Sequence, residues 1–254
     1  ADYHTHTQVY PDAQDSMTAM AQAAIRAGLD EICFTDHVEP MEWGTTKLRG
    51  PYDWTLLTRD FRAAQAAVGN QIQLRLGMEL GDAQWSPEHV AELLADAPEF
   101  DFIIGSIHLL SRRYGSQDLY VFSPKDESEA QEALGDYLEE ALVLAKQGGF
   151  TVMGHLTLPL RYFNEMRGFH TSFDPYEEQI REILKTLIEN GRGIELQPGQ
   201  SAAAGREVAE NLPGIGRRGH YAGNGRPQHA ARWLLRPGAA GTAEKLRLYA
   251  VLHL

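Results

Sequence analysis

A chain of 254 residues with 43% hydrophobic content is long enough to bury one sizeable core. Its formal net charge of −12 disfavours nonspecific binding to nucleic acid or to an anionic membrane surface. No run approaches the ~18 consecutive apolar residues of a membrane span, and no signal-peptide pattern opens the chain, so the expectation is a soluble, cytoplasmic protein.

The chain begins Asp2-Tyr3-His4-Thr5-His6-Thr7, which reads as a strand with His4 and His6 on one face, two imidazoles offered to one point. The lack of an initiating methionine leads to the expectation of a trimmed or partial sequence. A helix is predicted from Asp15 to Gly28, with Asp15 or Ser16 as N-cap and Met17, Met20, Ala21, Ala24 and Ile25 at helical spacing. Glu31 to His37 reads as a buried strand ending Thr35-Asp36-His37. Its Cys33, the single cysteine, excludes an intramolecular disulfide and reads as a buried structural thiol. The unit then repeats: helix Asp53 to Val68, strand Gln73 to Leu80 with Gly77-Met78-Glu79, and helix Ser86 to Leu94 opening on Ser86-Pro87-Glu88. Strand Asp101 to Leu110 carries Ser106-Ile107-His108. Helix Glu127 to Lys146, strand Phe150 to His155, helix Pro175 to Asn190 and strand Gly193 to Leu196 follow.

Strands separated by helices imply parallel pairing through right-handed crossovers, hence a barrel or a doubly wound sheet. His6, His37, Glu79, His108 and His155 all fall at or near C-terminal strand ends, where a (β/α) barrel gathers its functional groups, and this favours the barrel. Each histidine taken singly also reads as a hydrogen-bonded core or rim residue. Five residues at equivalent strand ends, four histidines and Glu79, point to metal, and the donor set exceeds what one zinc needs, so two or three ions are expected. His89, on a helix, and His170, in a loop, lack that setting and read as solvated.

Taken in order, His4-Thr5-His6, the aspartate of Tyr10-Pro11-Asp12, Thr35-Asp36-His37, Gly77-Met78-Glu79, Ser106-Ile107-His108 and Gly154-His155 resemble the polymerase and histidinol phosphatase (PHP) superfamily. Gly154 to Tyr162 and Ile180 to Glu195 resemble its monofunctional histidinol-phosphate phosphatases. The resemblance covers roughly residues 2 to 196. It implies a distorted seven-stranded, TIM-like (β/α) barrel holding a trinuclear metal centre, with His4, His6, Asp12, His37, Glu79, His108 and His155 matching seven of its usual ligands. Asp12 competes with Asp15, since capping would explain either. Zinc, iron and manganese all suit such a set.

The implied activity is phosphomonoester hydrolysis by a metal-activated water without a covalent nucleophile, on L-histidinol phosphate, in histidine biosynthesis. Arg161 is a candidate to grip the phosphate, with a surface salt bridge as its alternative. Tyr10, Glu39 and Trp43 are candidates to line the site for the imidazole and ammonium. The expected partner is a small phosphorylated amino alcohol, with no nucleic acid and no membrane; the sequence does not fix the oligomeric state. A PHP-type nuclease or nucleotide phosphoesterase is the rival reading, disfavoured by the absence of a basic stripe over residues 1 to 197. An inactive metal-binding remnant is the other.

The remnant reading arises from the C-terminal segment. The family pattern closes with a seventh strand ending Asp-x-His, and none is present here. Residues 198 to 254 hold eight Lys and Arg against three Glu and no Asp, a net +5 that leaves −17 for residues 1 to 197. His220 and His229 follow no apolar run. One choice of synonymous codons across Gly223 to His229, read one base forward, encodes Gly-Thr-Asp-Ala-His-Ser, which contains the missing motif. The expectation is therefore a barrel domain over 1 to 197 and an out-of-frame segment of the same domain over 198 to 254. That segment should pack poorly, with a strand only within Lys245 to Leu252, so that the last barrel strand is lost or irregular.

Overall fold

A computed structural model of the chain describes residues 1–43, 45–196, 231–236 and 247–252, the last two stretches and Leu196 as backbone only. The strands are β1 (Asp2–Thr5), β2 (Glu31–Phe34), β3 (His37–Val38), β4 (Gln73–Gly81), β5 (Phe102–Ser106), β6 (Val152–Met153), β7 (Gly193–Leu196), β8 (Ala231–Arg236) and β9 (Arg247–Leu252). The helices are α1 (Met17–Arg26), α2 (Trp54–Val68), α3 (Pro87–Leu93), α4 (Glu127–Gln147), α5 (Leu158–Leu160, running into a π-helical turn over Arg161–Glu165) and α6 (Glu177–Glu189).

β1, β2, β4, β5, β6 and β7 pair in that order, all parallel, with β3 extending the edge of β4. Helices connect them, and the result is an α/β half-barrel of parallel strands, the TIM-like arrangement that the strand-helix alternation predicts. Helix starts are set by side-chain caps. Ser16 Oγ accepts from Ala19 N at 3.2 Å, Asp53 from Thr55 N at 2.9 Å and Asp126 from Glu129 N at 2.9 Å. Beneath α1 and α2, Met17, Ala21, Ile32, Phe34 and Leu57 form one buried cluster. The long α4 buries Leu134, Tyr137, Leu138, Ala141 and Leu144 in a larger one that also takes Ile183, Leu184 and Leu187 of α6. Cutting any of these leucines to alanine costs about 2–5 kcal/mol.

β2, β5 and β6 end earlier than their apolar runs predict, whereas β7 matches its predicted run and β4 extends one residue further, to Gly81. β5 stops at Ser106 because the backbone N–H groups of His108 and Leu109 are taken by the Asp82 side chain, at 3.0 and 3.2 Å, instead of a neighbouring strand. Two close approaches within the sheet need glycine. A Cβ on Gly154 would collide with the Ser106 hydroxyl, and one on Gly77 would come within 2.7 Å of the Phe102 carbonyl.

After β7 the sheet changes sense, as β8 pairs antiparallel with β7 and β9 antiparallel with β8. The strand expected near the C-terminus is thus present as β9, while β8 was not foreseen. Among the described residues no ladder joins β9 or β7 back to β1. His220, His229 and most of the segment read as out of frame lie outside the described residues. None of the described helices is long and apolar enough to cross a membrane.

Candidate metal centre

The alternation His4-Thr5-His6-Thr7 divides labour between two sides of the first strand. Thr5 and Thr7 face β2: Thr5 N donates to Thr35 Oγ1 at 2.9 Å, and Thr7 donates through N and Oγ1 to the Asp36 carboxylate at 2.5 and 2.9 Å. His4 and His6 face the other way with ring centroids 5.0 Å apart. Asp36 is therefore a structural acceptor, and burial pushes its carboxyl up to about 6.

Glu79, on β4 and 1% exposed, is the hub. Its Oε2 lies 3.0 Å from His4 Nε2, 3.4 Å from His6 Nε2 and 3.3 Å from His37 Nδ1, and its Oε1 lies 2.8 Å from His155 Nε2 and 3.3 Å from His108 Nε2. The Ser106 hydroxyl donates to the same Oε1 at 2.6 Å. Against the cost of burial, the histidines His4, His37 and His108 hold this carboxyl well below its usual range. Asp12, on the loop after β1, stands 3.4 Å from His37 Nε2 and 3.7 Å from His6 Nδ1.

The histidines differ according to their surroundings. Burial, aided by the neighbouring His4 and His37, drives His6 down to about 3 despite the pull of Glu79. Burial likewise lowers His155. His37 goes the other way: burial opposes it, but the charge of Glu79 with Asp12 and Glu39 holds it up to about 10. His108 is raised well above its ordinary value against burial by Glu39 and Glu79.

All eleven side chains singled out from the sequence border one cavity of about 760 Å³: His4, His6, Tyr10, Asp12, His37, Glu39, Trp43, Glu79, His108, His155 and Arg161. Glu39 is committed to the cluster, its Oε1 accepting from His108 Nδ1 at 2.9 Å. Trp43 is exposed at the mouth and donates from Nε1 to Asp118 at 3.1 Å. Tyr10 packs its ring 5.0 Å from His37. Arg161 follows α5 on the rim, in no ion pair among the described residues. Cys33 is buried, as expected. His89, expected in solvent, is only 14% exposed and bonded to the Arg49 carbonyl at 2.8 Å, while His170 is 89% exposed.

Sequence reasoning missed four groups. Asp82 is buried in the left-handed region at φ 46°, and burial, then the charge of Glu39, raises its carboxyl to about 8. Arg49 enters the cavity between the Tyr10 and Tyr52 rings, with Nε on the Glu39 carbonyl at 3.0 Å. Asp118 lies at the mouth. Glu195 sits behind His4, and its signal was legible: a carboxylate inside the apolar strand Gly193-Ile194-Glu195-Leu196 must have a buried partner.

The donors suit divalent ions. Among the described residues four trios bring ligand atoms within 4.8 Å of one another: His4, Glu79 and His155; His6, Asp12 and His37; His37, Glu79 and His108; and Glu39, Asp82 and His108. The buried Nδ1 atoms of His6 and His155 have no hydrogen-bond partner there, and in its unprotonated form each would offer a lone pair to a coordinated ion.

The PHP domain family model matches residues 2–199. The chain belongs to the PHP domain family. This PHP chain is 28% identical over 162 residues to a protein of Deinococcus radiodurans described as a "Probable histidinol-phosphatase", spanning 63% of this chain and 62% of that one. It is 28% identical over 200 residues to the histidinol-phosphatase of Lactococcus lactis, covering 77% of this chain and 70% of the relative. The crystal structure of the Lactococcus lactis histidinol phosphate phosphatase, complexed with zinc, L-histidinol and phosphate, superposes with a TM-score of 0.58 at 24% identity, covering 75% of this chain and 70% of that one. At that identity the likeness establishes a shared fold, a TIM-like PHP half-barrel.

Proposed function

We propose that this PHP protein hydrolyses a phosphomonoester with divalent metal ions, and that its substrate is L-histidinol phosphate, giving L-histidinol and phosphate. The observation that carries the reading is the buried carboxylate Glu79 ringed by five histidines, at strand ends beside a cavity with the Arg161 guanidinium, in no ion pair among the described residues, on its rim. Relatives named for this activity, and a solved neighbour holding zinc, L-histidinol and phosphate, support it.

His4, His6, Asp12, His37, Glu79, His108 and His155 would hold two or three ions, of zinc, iron or manganese. When bound, the ions would polarise the phosphoryl oxygens and allow a water to ionise near neutral pH. The chain's own groups do the rest. Arg161 grips the phosphate from the rim and, through the two parallel donors of its guanidinium, orients it for in-line attack. Asp118 at the mouth draws in the substrate ammonium, and the Tyr10 and Trp43 rings present faces for the imidazole. A cavity of about 760 Å³ suits a molecule of this size. Thr5, Thr7 and Ser106 keep the ligand-bearing strand ends in place during turnover. The same proposal carries the expectation of a cytoplasmic enzyme of histidine biosynthesis.

Phosphate release from histidinol phosphate, nucleotides and short single-stranded oligonucleotides tests the substrate. The expected order has histidinol phosphate first by kcat/KM, and a preference for the strands would overturn it. The reading-frame interpretation of residues 198–254 belongs to this proposal, supported by a family match that stops at residue 199, where the charge balance changes. The nucleotide sequence around codons 196 to 200 decides it, since an uninterrupted frame there would remove it.

A further inference from the structure

Glu195 borders no part of the cavity, yet it touches the cluster at two points. It lies on β7, 2% exposed, and both of its oxygens accept from His4 Nδ1, Oε2 at 2.9 Å and Oε1 at 3.1 Å. Oε2 also accepts from the backbone N–H of His155 at 3.3 Å. That peptide is unusual, because His155 has φ 23°, a left-handed setting that a side-chain-bearing residue rarely adopts. Its carbonyl is fixed as well, by Leu158 N at 2.7 Å and the Tyr137 hydroxyl at 3.2 Å.

β1 and β7 are the two ends of the parallel run, and among the described residues no backbone ladder joins them. The Glu195 carboxylate spans that gap with a side chain. A carboxylate accepts, so His4 carries a proton on Nδ1 on this side; Nε2 turns to the cluster centre, 3.0 Å from Glu79 Oε2, where a bound ion would take the place of a second proton.

We propose that Glu195 is a positioning residue of the centre: it fixes the His4 tautomer and ring so that Nε2 faces the ions, and it holds the strained His155 peptide that aims the second imidazole. The role rests on the metal-dependent reading above. A carboxylate behind a ligating imidazole raises the basicity of the ligand as well as its order, and losing such a partner weakens metal binding by about 10–100-fold.

The test compares wild type with Glu195→Ala, Glu195→Gln and, as a control for simple destabilisation, Ile194→Val, which trims a buried neighbour on the same strand. Zinc affinity is measured by competition with a chromophoric chelator, and histidine tautomers by nitrogen-15 NMR of the metal-free, full-length chain. Glu195→Ala is expected to lose roughly 10–100-fold in zinc affinity, and its His4 is expected to lose the uniform Nδ1–H signature. Glu195→Gln, which still offers an oxygen to Nδ1–H, should recover part of both. Ile194→Val should lower the unfolding temperature and leave zinc affinity as in wild type. Unchanged affinity and an unchanged His4 signature in Glu195→Ala would overturn the role, as would an equal affinity loss in Ile194→Val. A wild-type chain that takes up no zinc would overturn the metal reading instead, and the tautomer comparison on the metal-free protein then still decides whether Glu195 orders His4.

Discussion

The two sides of the cluster are built differently. On the inner side His4, Glu79 and His155 are 5%, 1% and 4% exposed, rise from strands or strand ends, and are held by further protein groups, Glu195, Ser106 and the His155 backbone contacts. On the outer side His6 and His37 are about a fifth exposed, and Asp12, on a loop, is 39% exposed. Desolvated, braced donors bind an ion with little reordering, whereas exposed donors on a loop pay more entropy for each bond. The inner half is thus the more preorganised part of the cluster and the outer half the less.

Glu79→Gln should have the largest effect, because this carboxylate serves both halves. Phosphate release should fall by about 10²–10³-fold or more, with metal content falling on both sides of the cluster by elemental analysis. Asp12→Asn tests the difference between the halves directly. It should weaken one ion by roughly tenfold to a hundredfold while the inner ion stays bound, seen as a fractional loss in metal stoichiometry on dialysis. Equal loss from both mutants would erase the comparison.

Much of this was open to the sequence because it follows from periodicity. His4 and His6 share a face by strand alternation, and Glu79, His108 and His155 each close an apolar run, so their convergence needed only the barrel. What escaped depends on local backbone geometry or on contacts distant in sequence. Asp82 acts from a left-handed turn at φ 46°, reaching across to the His108 and Leu109 amides. Arg49 reaches the cavity through stacking on two tyrosines that lie far apart in sequence. Glu195 meets His4 across 191 positions. His89 looked solvated because nothing in its own helix shows that the Arg49 carbonyl packs onto it. β8 was missed because Ala231 to Arg236 lacks clean alternation, although Pro237-Gly238 directly after it is a turn signal.

Arg161→Ala should raise KM by about 10–100-fold, the value of a charge-assisted hydrogen bond set, with kcat less affected; Arg161→Lys should restore only part, since an ammonium cannot bind bidentately. Steady-state kinetics separates the two.

Protonation sharpens the contrast in a different way. His37, held at about 10, and His108, raised well above normal, carry protons at pH 7 in the metal-free chain and must lose them to ligate. Zinc uptake should therefore release about two protons at pH 7, and calorimetry in buffers of different ionisation enthalpy measures this. Because the folded value of His37 lies above the ordinary one near 6.5, its contribution to stability is complete below pH ~6.5 and is lost as pH rises through about 10. The unfolding temperature of the metal-free chain should fall across that window. The smallest effect is expected for Trp43→Ala at the exposed mouth, a few-fold rise in KM for histidinol phosphate.

The most direct test of the account is phosphate release from L-histidinol phosphate by the purified chain before chelation, after chelation, and after zinc or manganese is restored. The account predicts that chelation abolishes turnover and that the ion returns it, with the returned rate following metal content. Turnover that survives complete removal of metal would contradict it.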